Sequence, residues 1–143
     1  MFIGEYAHNL DEKGRMALPV RFRKGLVDGA IVTRGLDKCL FVFDRREWDV
    51  LAQRIVSLPL THAHARSFSR FMLAGATQAE IDQQGRILIP EYLRKFALLK
   101  KQVIVAGLYT RIEIWDSSTW HEYKEKTDLE SDSIVEHMEN LGI

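Results

Sequence analysis

Short apolar runs bounded by turn residues predict the buried strands of this chain. The runs come in two pairs, each around a short glycine turn: 30–33 with 40–43, and 103–106 with 112–115. Continuous apolar runs of this length are typical of strands that are buried on both faces. Residues 6–10 and 77–81 predict two further extended segments, and each of them leads into a polar turn.

Capping signals and prolines predict the helices. Asp44 to Glu47 has the pattern of a capping box and opens a helix whose apolar face is Trp48, Leu51 and Ile55. Pro59 ends this helix. Shorter or later helical segments are predicted at residues 20–26, 61–72, 91–98 and 116–126.

The whole pattern occurs twice, because the chain is a tandem duplication. Eleven identities recur in the same order at a spacing of 71 and, after a one-residue insertion, of 72. We expect a first repeat over residues 4–48, a helical connector over 49–74, a second repeat over 75–120 and an acidic C-terminal helix or tail over 121–143. Because no strand is long enough to be stable alone, we predict an α+β fold in which the two units interleave into one pseudo-two-fold β-barrel capped by helices.

Composition places the chain among ordinary globular proteins. Of its 143 residues, 46% are hydrophobic and 28% are charged. No run approaches the roughly 20 apolar residues of a membrane span, and the N-terminal residues lack a signal-peptide run, so we expect a cytoplasmic protein without a membrane partner. The single cysteine, Cys39, excludes an internal disulfide, and its apolar surroundings favour a buried small hydrophobe over a reactive thiol.

The net charge of zero conceals an uneven distribution. Residues 1–111 carry 18 Lys or Arg against 11 Asp or Glu, whereas residues 112–143 carry 2 against 9. The basic body favours a polyanionic partner. The acidic C-terminal segment is either a solvated helix or a shield for the basic surface.

Each repeat contains the same turn motif, Asp-x-x-Gly-Arg, followed by a proline and then by basic residues. The turn-forming residues are Asp11 and Gly14 in the first copy, and Asp82 and Gly85 in the second. Aspartate accepts backbone N–H bonds in such turns, and glycine adopts the left-handed conformation that other residues resist. The motif therefore predicts a rigid hairpin with Arg15 or Arg86 at its tip.

Two roles are open for these arginines. A guanidinium on a stiff turn is suited to bind a phosphate, or a guanine edge through two hydrogen bonds. Alternatively, each arginine closes its turn by pairing with the aspartate four residues earlier, and both roles are compatible. We expect additional phosphate contacts from basic residues in and after the turns: Lys13, Arg21, Arg23, Arg94 and Lys95.

Signals for other chemistry are weak. The sequence has no Gly-x-Ser-x-Gly elbow, no His-Glu-x-x-His and no glycine-rich phosphate loop, which argues against an enzyme. His62 and His64 suggest a metal pair, but residues two apart on a helix point in different directions and no other ligand has suitable spacing. We therefore expect no metal and no cofactor. Trp48 and Trp120 hold equivalent positions in the repeats, which favours core packing over base stacking.

The two motifs, Asp11-Glu-Lys-Gly-Arg15 and Asp82-Gln-Gln-Gly-Arg86, together with the segment Leu-Tyr-Thr-Arg-Ile-Glu-Ile-Trp-Asp at 108–116, resemble the MraZ family over nearly the whole chain. The resemblance implies two AbrB-like swapped-hairpin units, in a nucleoid-associated repressor that forms homo-oligomeric rings. It further implies that the protein binds short direct repeats upstream of the division and cell-wall gene cluster and represses that cluster, which includes its own gene. In the family the motif arginines contact DNA, and they correspond to Arg15 and Arg86 here. One departure is that Gln83 and Gln84 replace Glu12 and Lys13, so the second copy lacks a lysine in its turn.

Two alternatives to DNA binding remain at this stage. AbrB-type units also serve as protein-interaction modules, for instance as antitoxins, although only about 17 residues follow Lys126 here. RNA is the other alternative, because phosphate binding alone does not distinguish the two nucleic acids.

Overall fold

A computed structural model describes residues 1–143 and contains eight strands and six α-helices. The strands are β1 (Phe2–Asn9), β2 (Arg15–Ala17), β3 (Ala30–Arg34), β4 (Leu40–Phe43), β5 (Thr77–Ala79), β6 (Arg86–Leu88), β7 (Gln102–Tyr109) and β8 (Ile112–Asp116). The helices are α1 (Val20–Arg23), α2 (Arg45–Val56), α3 (Ala63–Ser69), α4 (Glu91–Phe96), α5 (Ser117–Leu129) and α6 (Ser131–Glu139). The fold is therefore a mixture of helices and strands, as the sequence predicts.

The two repeats interleave around a pseudo-two-fold axis. Six antiparallel strands form one sheet in the order β1-β7-β8-β4-β3-β5. Strands β1, β3 and β4 of the first repeat correspond to β5, β7 and β8 of the second. If each strand is replaced by its counterpart, the same order results, read from the other edge of the sheet. The central pairing places Phe41 opposite its own equivalent, Glu113, and the β2–β6 pairing places Met16 opposite its equivalent, Ile87. The predicted interleaving is therefore present in the strand order.

The predicted barrel is not confirmed, because the sheet is open. Its edge strands are β1 and β5, which do not pair with each other. Strands β2 and β6 form a separate two-stranded ribbon, so the predicted hairpin between β1 and β2 is reduced to one bridge between Leu10, which follows β1, and Met16. The ribbon strands are too short to close the sheet. Each has three residues, all of which pair with the other ribbon strand, and Pro19 and Pro90 then end the extended backbone.

Two apolar clusters cover the two faces of the sheet. The larger one contains 19 buried residues between the sheet and the ribbon, including Met16 and Ile87. The smaller one contains seven, among them Phe41, Phe43 and Trp115, and packs under residues from α2 and α5. Because both faces are covered, the central strands are buried along their length, as their continuous apolar runs predict.

Several boundaries differ from the sequence predictions. The first strand extends back to Phe2, and β5 stops at Ala79 instead of residue 81. The predicted helix over 61–72 starts at Ala63, because His62 caps it, and continues as a π-helical turn over Arg70–Ala74. The helix predicted over 116–126 runs to Leu129 and is followed by α6.

The capping signal of α2 is correct: the Asp44 carboxylate accepts a hydrogen bond of 2.8 Å from the Glu47 backbone N–H. None of the helices combines the length and the apolar character needed to cross a bilayer.

Candidate nucleic-acid interface

The first Asp-x-x-Gly-Arg turn is held by its own aspartate. Asp11 Oδ1 accepts hydrogen bonds of 2.9 Å from the backbone N–H groups of Lys13 and Arg15. The backbone closes the turn from both sides, because Asp11 N–H donates to Arg15 O at 2.9 Å and Gly14 N–H donates to Asp11 O at 3.0 Å. Gly14 has a φ of 83°, in the left-handed region that favours glycine. These bonds fix the direction in which Arg15 leaves the turn.

The second turn repeats this geometry closely. Asp82 Oδ1 accepts bonds of 2.9 Å from the backbone N–H groups of Gln84 and Arg86, and Gly85 has a φ of 76°. Different residues therefore occupy the turn interiors of the two copies without changing the hydrogen-bond pattern.

Each arginine pairs with its own aspartate through one nitrogen. Arg15 Nε donates to Asp11 Oδ2 at 2.8 Å, and Arg86 Nε donates to Asp82 Oδ2 at 3.0 Å. The side chains remain 34% and 28% exposed, respectively. Arg86 Nη1 also lies 3.8 Å from Asp11 Oδ2, which connects the two turns. Because the hydrogen bonds use Nε, no terminal nitrogen of either arginine is hydrogen-bonded within the protein, so closing the turn and binding are geometrically compatible.

The turn carboxylates are stabilised in their charged form. Hydrogen bonds from the backbone N–H of Arg15 lower the pKa of Asp11, with a further contribution from the Arg15 side chain. Arg86 lowers the pKa of Asp82 in the same way. Both aspartates are therefore anionic at neutral pH, the state that the turn requires.

Both arginines lie on the outer face of the β2–β6 ribbon. Arg15 is paired with Leu88 and Ala17 with Arg86, whereas the Met16–Ile87 pair between them is fully buried. Cross-strand partners share a face and successive residues alternate, so the four outer residues stand on the side opposite the core. The ribbon thus presents two guanidinium groups in diagonal positions beside Leu88, which is 52% exposed.

Each turn is also held by the other repeat. Leu18 N–H donates to Gly85 O at 2.9 Å, and Ile89 N–H donates to Gly14 O at 2.8 Å. The guanidinium of Arg94 lies against Gly14, where a Cβ would stand 2.8 Å from Cζ, and Arg23 lies against Gly85. Arg94 Nε donates to Ile89 O at 2.9 Å, and Arg23 Nε donates to Leu18 O at 3.1 Å.

The other predicted contact residues therefore fall into two groups. Lys13, Arg21 and Lys95 are exposed; Lys95 lies 3.2 Å from Glu91 in a solvent-exposed ion pair. Arg23 and Arg94 are half-buried and hold the turns, as described above. Only Lys13, Arg21 and Lys95 therefore have side chains that are fully accessible to a ligand.

Lys100 and Lys101 lie beside the first turn and were not among the contact residues predicted from the sequence. Lys101 O accepts a hydrogen bond of 2.8 Å from Leu10 N–H, so the loop before β7 lies against the start of the Asp11 turn. Lys100 and Lys101 border the same groove as Asp11. The duplication predicts that the repeats interleave, but no sequence signal indicates which loop meets which turn.

The histidines and the cysteine that the sequence analysis considered as sites of other chemistry have local structural roles. His62 Nδ1 accepts a bond of 3.2 Å from Ala65 N–H and caps α3. No group of three His, Cys, Asp or Glu side chains is placed to hold a metal ion. Burial raises the pKa of the Cys39 thiol, which keeps it protonated, and the thiol donates to Leu36 O at 3.1 Å.

Comparison with known proteins identifies the family. The family model described as "MraZ protein, putative antitoxin-like" matches twice, over residues 1–71 and 72–140. A protein of Alkaliphilus metalliredigens is 53% identical over all 143 residues of both chains, and one of Caldanaerobacter subterraneus subsp. tengcongensis is 46% identical over the same full length. A protein of Halothermothrix orenii is 48% identical over the full length of both chains. All three are named transcriptional regulator MraZ. With two matches in tandem and relatives of the same length, this chain belongs to the MraZ family.

Proposed function

We propose that this chain is a sequence-specific, DNA-binding transcriptional repressor whose reading surface is the outer face of the β2–β6 ribbon. The observation that carries the proposal is the placement of Arg15 and Arg86 on that one face, each fixed by its own turn. The names of the relatives, transcriptional regulators, support this class of function over an enzyme.

The shape of the ribbon favours the major groove of duplex DNA. That groove admits a two-stranded β-ribbon, and an arginine donating two hydrogen bonds to guanine O6 and N7 is its commonest specific contact. In the ribbon, the Nε atoms are already used by the aspartates, so Nη1 and Nη2 are the donors available to a base or a phosphate. A guanidinium held in this way loses little conformational entropy on binding.

Basic side chains around the ribbon supply phosphate contacts. Lys13, Arg21 and Lys95 are exposed and have this role in the proposal, whereas Arg23 and Arg94 contribute mainly positive potential and turn rigidity. Phosphate contacts position a protein on DNA, and base contacts specify the sequence.

The proposed operator consists of short direct repeats upstream of the division and cell-wall gene cluster, and this cluster includes the gene of the protein itself. A protein bound there is associated with the nucleoid. A homo-oligomeric ring places several ribbons side by side. Such an arrangement raises the effective concentration of the second and later ribbons once the first is bound.

A protein-interaction function of the antitoxin type is the second candidate. The antitoxin-like description of the family favours it, and so do exposed apolar side chains in the C-terminal segment, namely Leu129 at 83% and Val135 at 62% exposure. It predicts a protein partner and no dependence on the ribbon arginines.

Gel-shift titration with DNA from upstream of the protein's own gene tests the proposal. We expect the wild-type chain to bind this DNA more tightly than a shuffled duplex. The double variant Arg15→Ala/Arg86→Ala should lose the preference, whereas Arg54→Ala, which removes an exposed and unpaired arginine from α2, should keep it. Equal binding by the double variant and the wild type would overturn the proposed interface.

A further inference from the structure

We infer that Lys100 and Lys101 form a clamp for backbone phosphates beside the Asp11 turn, and that the Asp82 turn has no such clamp. The inference rests on the proposed function and adds an asymmetry to it. The end of the ribbon at the Asp11 turn contacts backbone phosphates, and the end at the Asp82 turn does not.

The loop that carries the two lysines is fixed against the first turn. Leu10 N–H donates to Lys101 O at 2.8 Å, and Lys100 N–H donates to Asp116 Oδ1 at 3.0 Å. Both side chains are exposed, and neither is among the ion pairs of the fold. The backbone is therefore rigid while both ammonium groups are free to bind an anion.

The lysines border an open groove of about 440 Å³ that reaches the Asp11 turn. Its charged lining residues are Asp11, Glu12, Arg94, Lys100 and Lys101. Asp11 is already neutralised by Arg15, so Glu12 is the one unpaired acidic group at this groove. Unpaired cations at one groove repel each other, and a phosphate group relieves this repulsion.

The equivalent place beside the second turn has the opposite charge. In the first repeat the counterparts of Lys100 and Lys101, at the spacing of 72, are Asp28 and Gly29, which directly precede β3. The groove that Asp28 borders also contains Glu80, and Arg45 is its one basic residue. Its carboxylates would repel a phosphate group.

The two ends of a pseudo-symmetric ribbon thereby become chemically distinct. At the first turn, lysines favour phosphate, whereas at the second turn Gln83 and Gln84 present neutral amides, which suit hydrogen bonding to base edges. A protomer with this surface binds a non-palindromic site in one orientation, because exchanging the two ends would place the Asp28 and Glu80 carboxylates at the phosphates.

Salt dependence of binding to a random-sequence 30-base-pair duplex tests the clamp directly, because such a duplex reports phosphate contacts without base recognition. The double variant Lys100→Ala/Lys101→Ala should lower the magnitude of the slope of log affinity against log salt by about 1 for each lysine that contacts a phosphate. The matched control, Arg54→Ala/Lys126→Ala, also removes two exposed positive charges and should keep the wild-type slope. Thermal melting by circular dichroism checks that both variants are folded.

A reciprocal variant tests the asymmetry. Asp28→Lys gives the second turn a cation at the position that corresponds to Lys100, so the salt slope should become steeper and affinity for the random duplex should rise. An unchanged slope in both Lys100→Ala/Lys101→Ala and Asp28→Lys, with normal binding by the wild type, would overturn the clamp and leave the ribbon interface standing. A wild-type chain that binds no duplex would overturn both proposals.

Discussion

The two turns of this molecule have the same backbone and different surroundings. Asp11 and Asp82 make matching hydrogen bonds, and Gly14 and Gly85 have left-handed φ angles of 83° and 76°. Around them, Lys13 is replaced by Gln84, and the loop with Lys100 and Lys101 is replaced by one with Asp28. The residues that define the shape of the turn are thus the same in both repeats, while the residues that set its charge differ.

The comparison separates two kinds of position. A turn residue acts through geometry, so its replacement should destabilise either copy, to an extent set by what packs against that turn. A surface charge acts through the ligand, so its replacement should affect the copies differently.

The largest expected effect is on DNA binding when one ribbon arginine is removed. Arg15→Ala and Arg86→Ala should each weaken binding to upstream DNA by about 10- to 100-fold, the range for one bidentate base contact of about 1–3 kcal/mol. Arg15→Ala should have at least as large an effect as Arg86→Ala, because Arg15 acts beside Lys13. Melting temperatures should stay within about 4 °C of wild type, since exposed ion pairs contribute little to stability. A large drop in melting temperature, with little change in affinity, would mean that these arginines are only turn closures.

The next effect is on stability when a turn glycine gains a Cβ. Gly14→Ala and Gly85→Ala should each lower the free energy of unfolding by about 1–2 kcal/mol, the cost of a left-handed conformation for a residue with a Cβ. Gly14→Ala should cost more, because its Cβ would stand 2.9 Å from the backbone oxygen of Ile89, whereas the obstacle at Gly85 is the Arg23 side chain, which is able to move. Urea unfolding of both variants measures the difference, and equal or reversed costs would contradict this account.

A smaller effect should follow from removal of a turn aspartate. Asp11→Ala and Asp82→Ala each delete the carboxylate oxygen that accepts two backbone N–H bonds, so melting temperature and DNA affinity should fall together. The first variant should be the more affected, since Asp11 also lies 3.8 Å from Arg86 Nη1. Differential scanning calorimetry and gel shifts at one salt concentration provide the test. Loss of affinity at an unchanged melting temperature would instead indicate that the carboxylate does not shape the turn.

The smallest effect is the pH dependence of the turns. Because the pKa values of Asp11 and Asp82 are lowered in the folded protein, the stability that their charge provides is fully present above the ordinary aspartate pKa of about 4 and is lost as pH falls through the lower folded values. Between pH 5 and 8, the turns should therefore not change. Carboxyl chemical shifts followed by NMR should titrate below the ordinary range in the wild type, and an ordinary or raised value would refute the hydrogen-bonded turn.

The sequence predicts the strands, the duplication and the Asp-x-x-Gly turns well, because each depends on local signals such as apolar runs, Asp-x-x-Gly and proline. The glycine turn predicted between the last two apolar runs is wrong, because Gly107 lies inside β7 and pairs with Gly4 and Ile112. Which strand pairs with which depends on long-range packing, so the open sheet with a separate ribbon was not predictable from the apolar runs alone. The position of Arg23 and Arg94 against the glycines of the opposite repeat was missed for the same reason. Both looked like phosphate ligands in the sequence, since a basic residue after a turn has the same appearance whether it faces solvent or the other repeat.

The central claim is that the outer face of the β2–β6 ribbon is the DNA-binding surface. Photo-crosslinking tests it most directly, with benzoylphenylalanine placed at Leu88 on that face or, as a control, at Leu60, which is 82% exposed in the loop between α2 and α3. With a labelled duplex from upstream of the protein's own gene, we expect crosslinks from position 88 and none above background from position 60. Crosslinking from position 60 but not from position 88 would contradict the account.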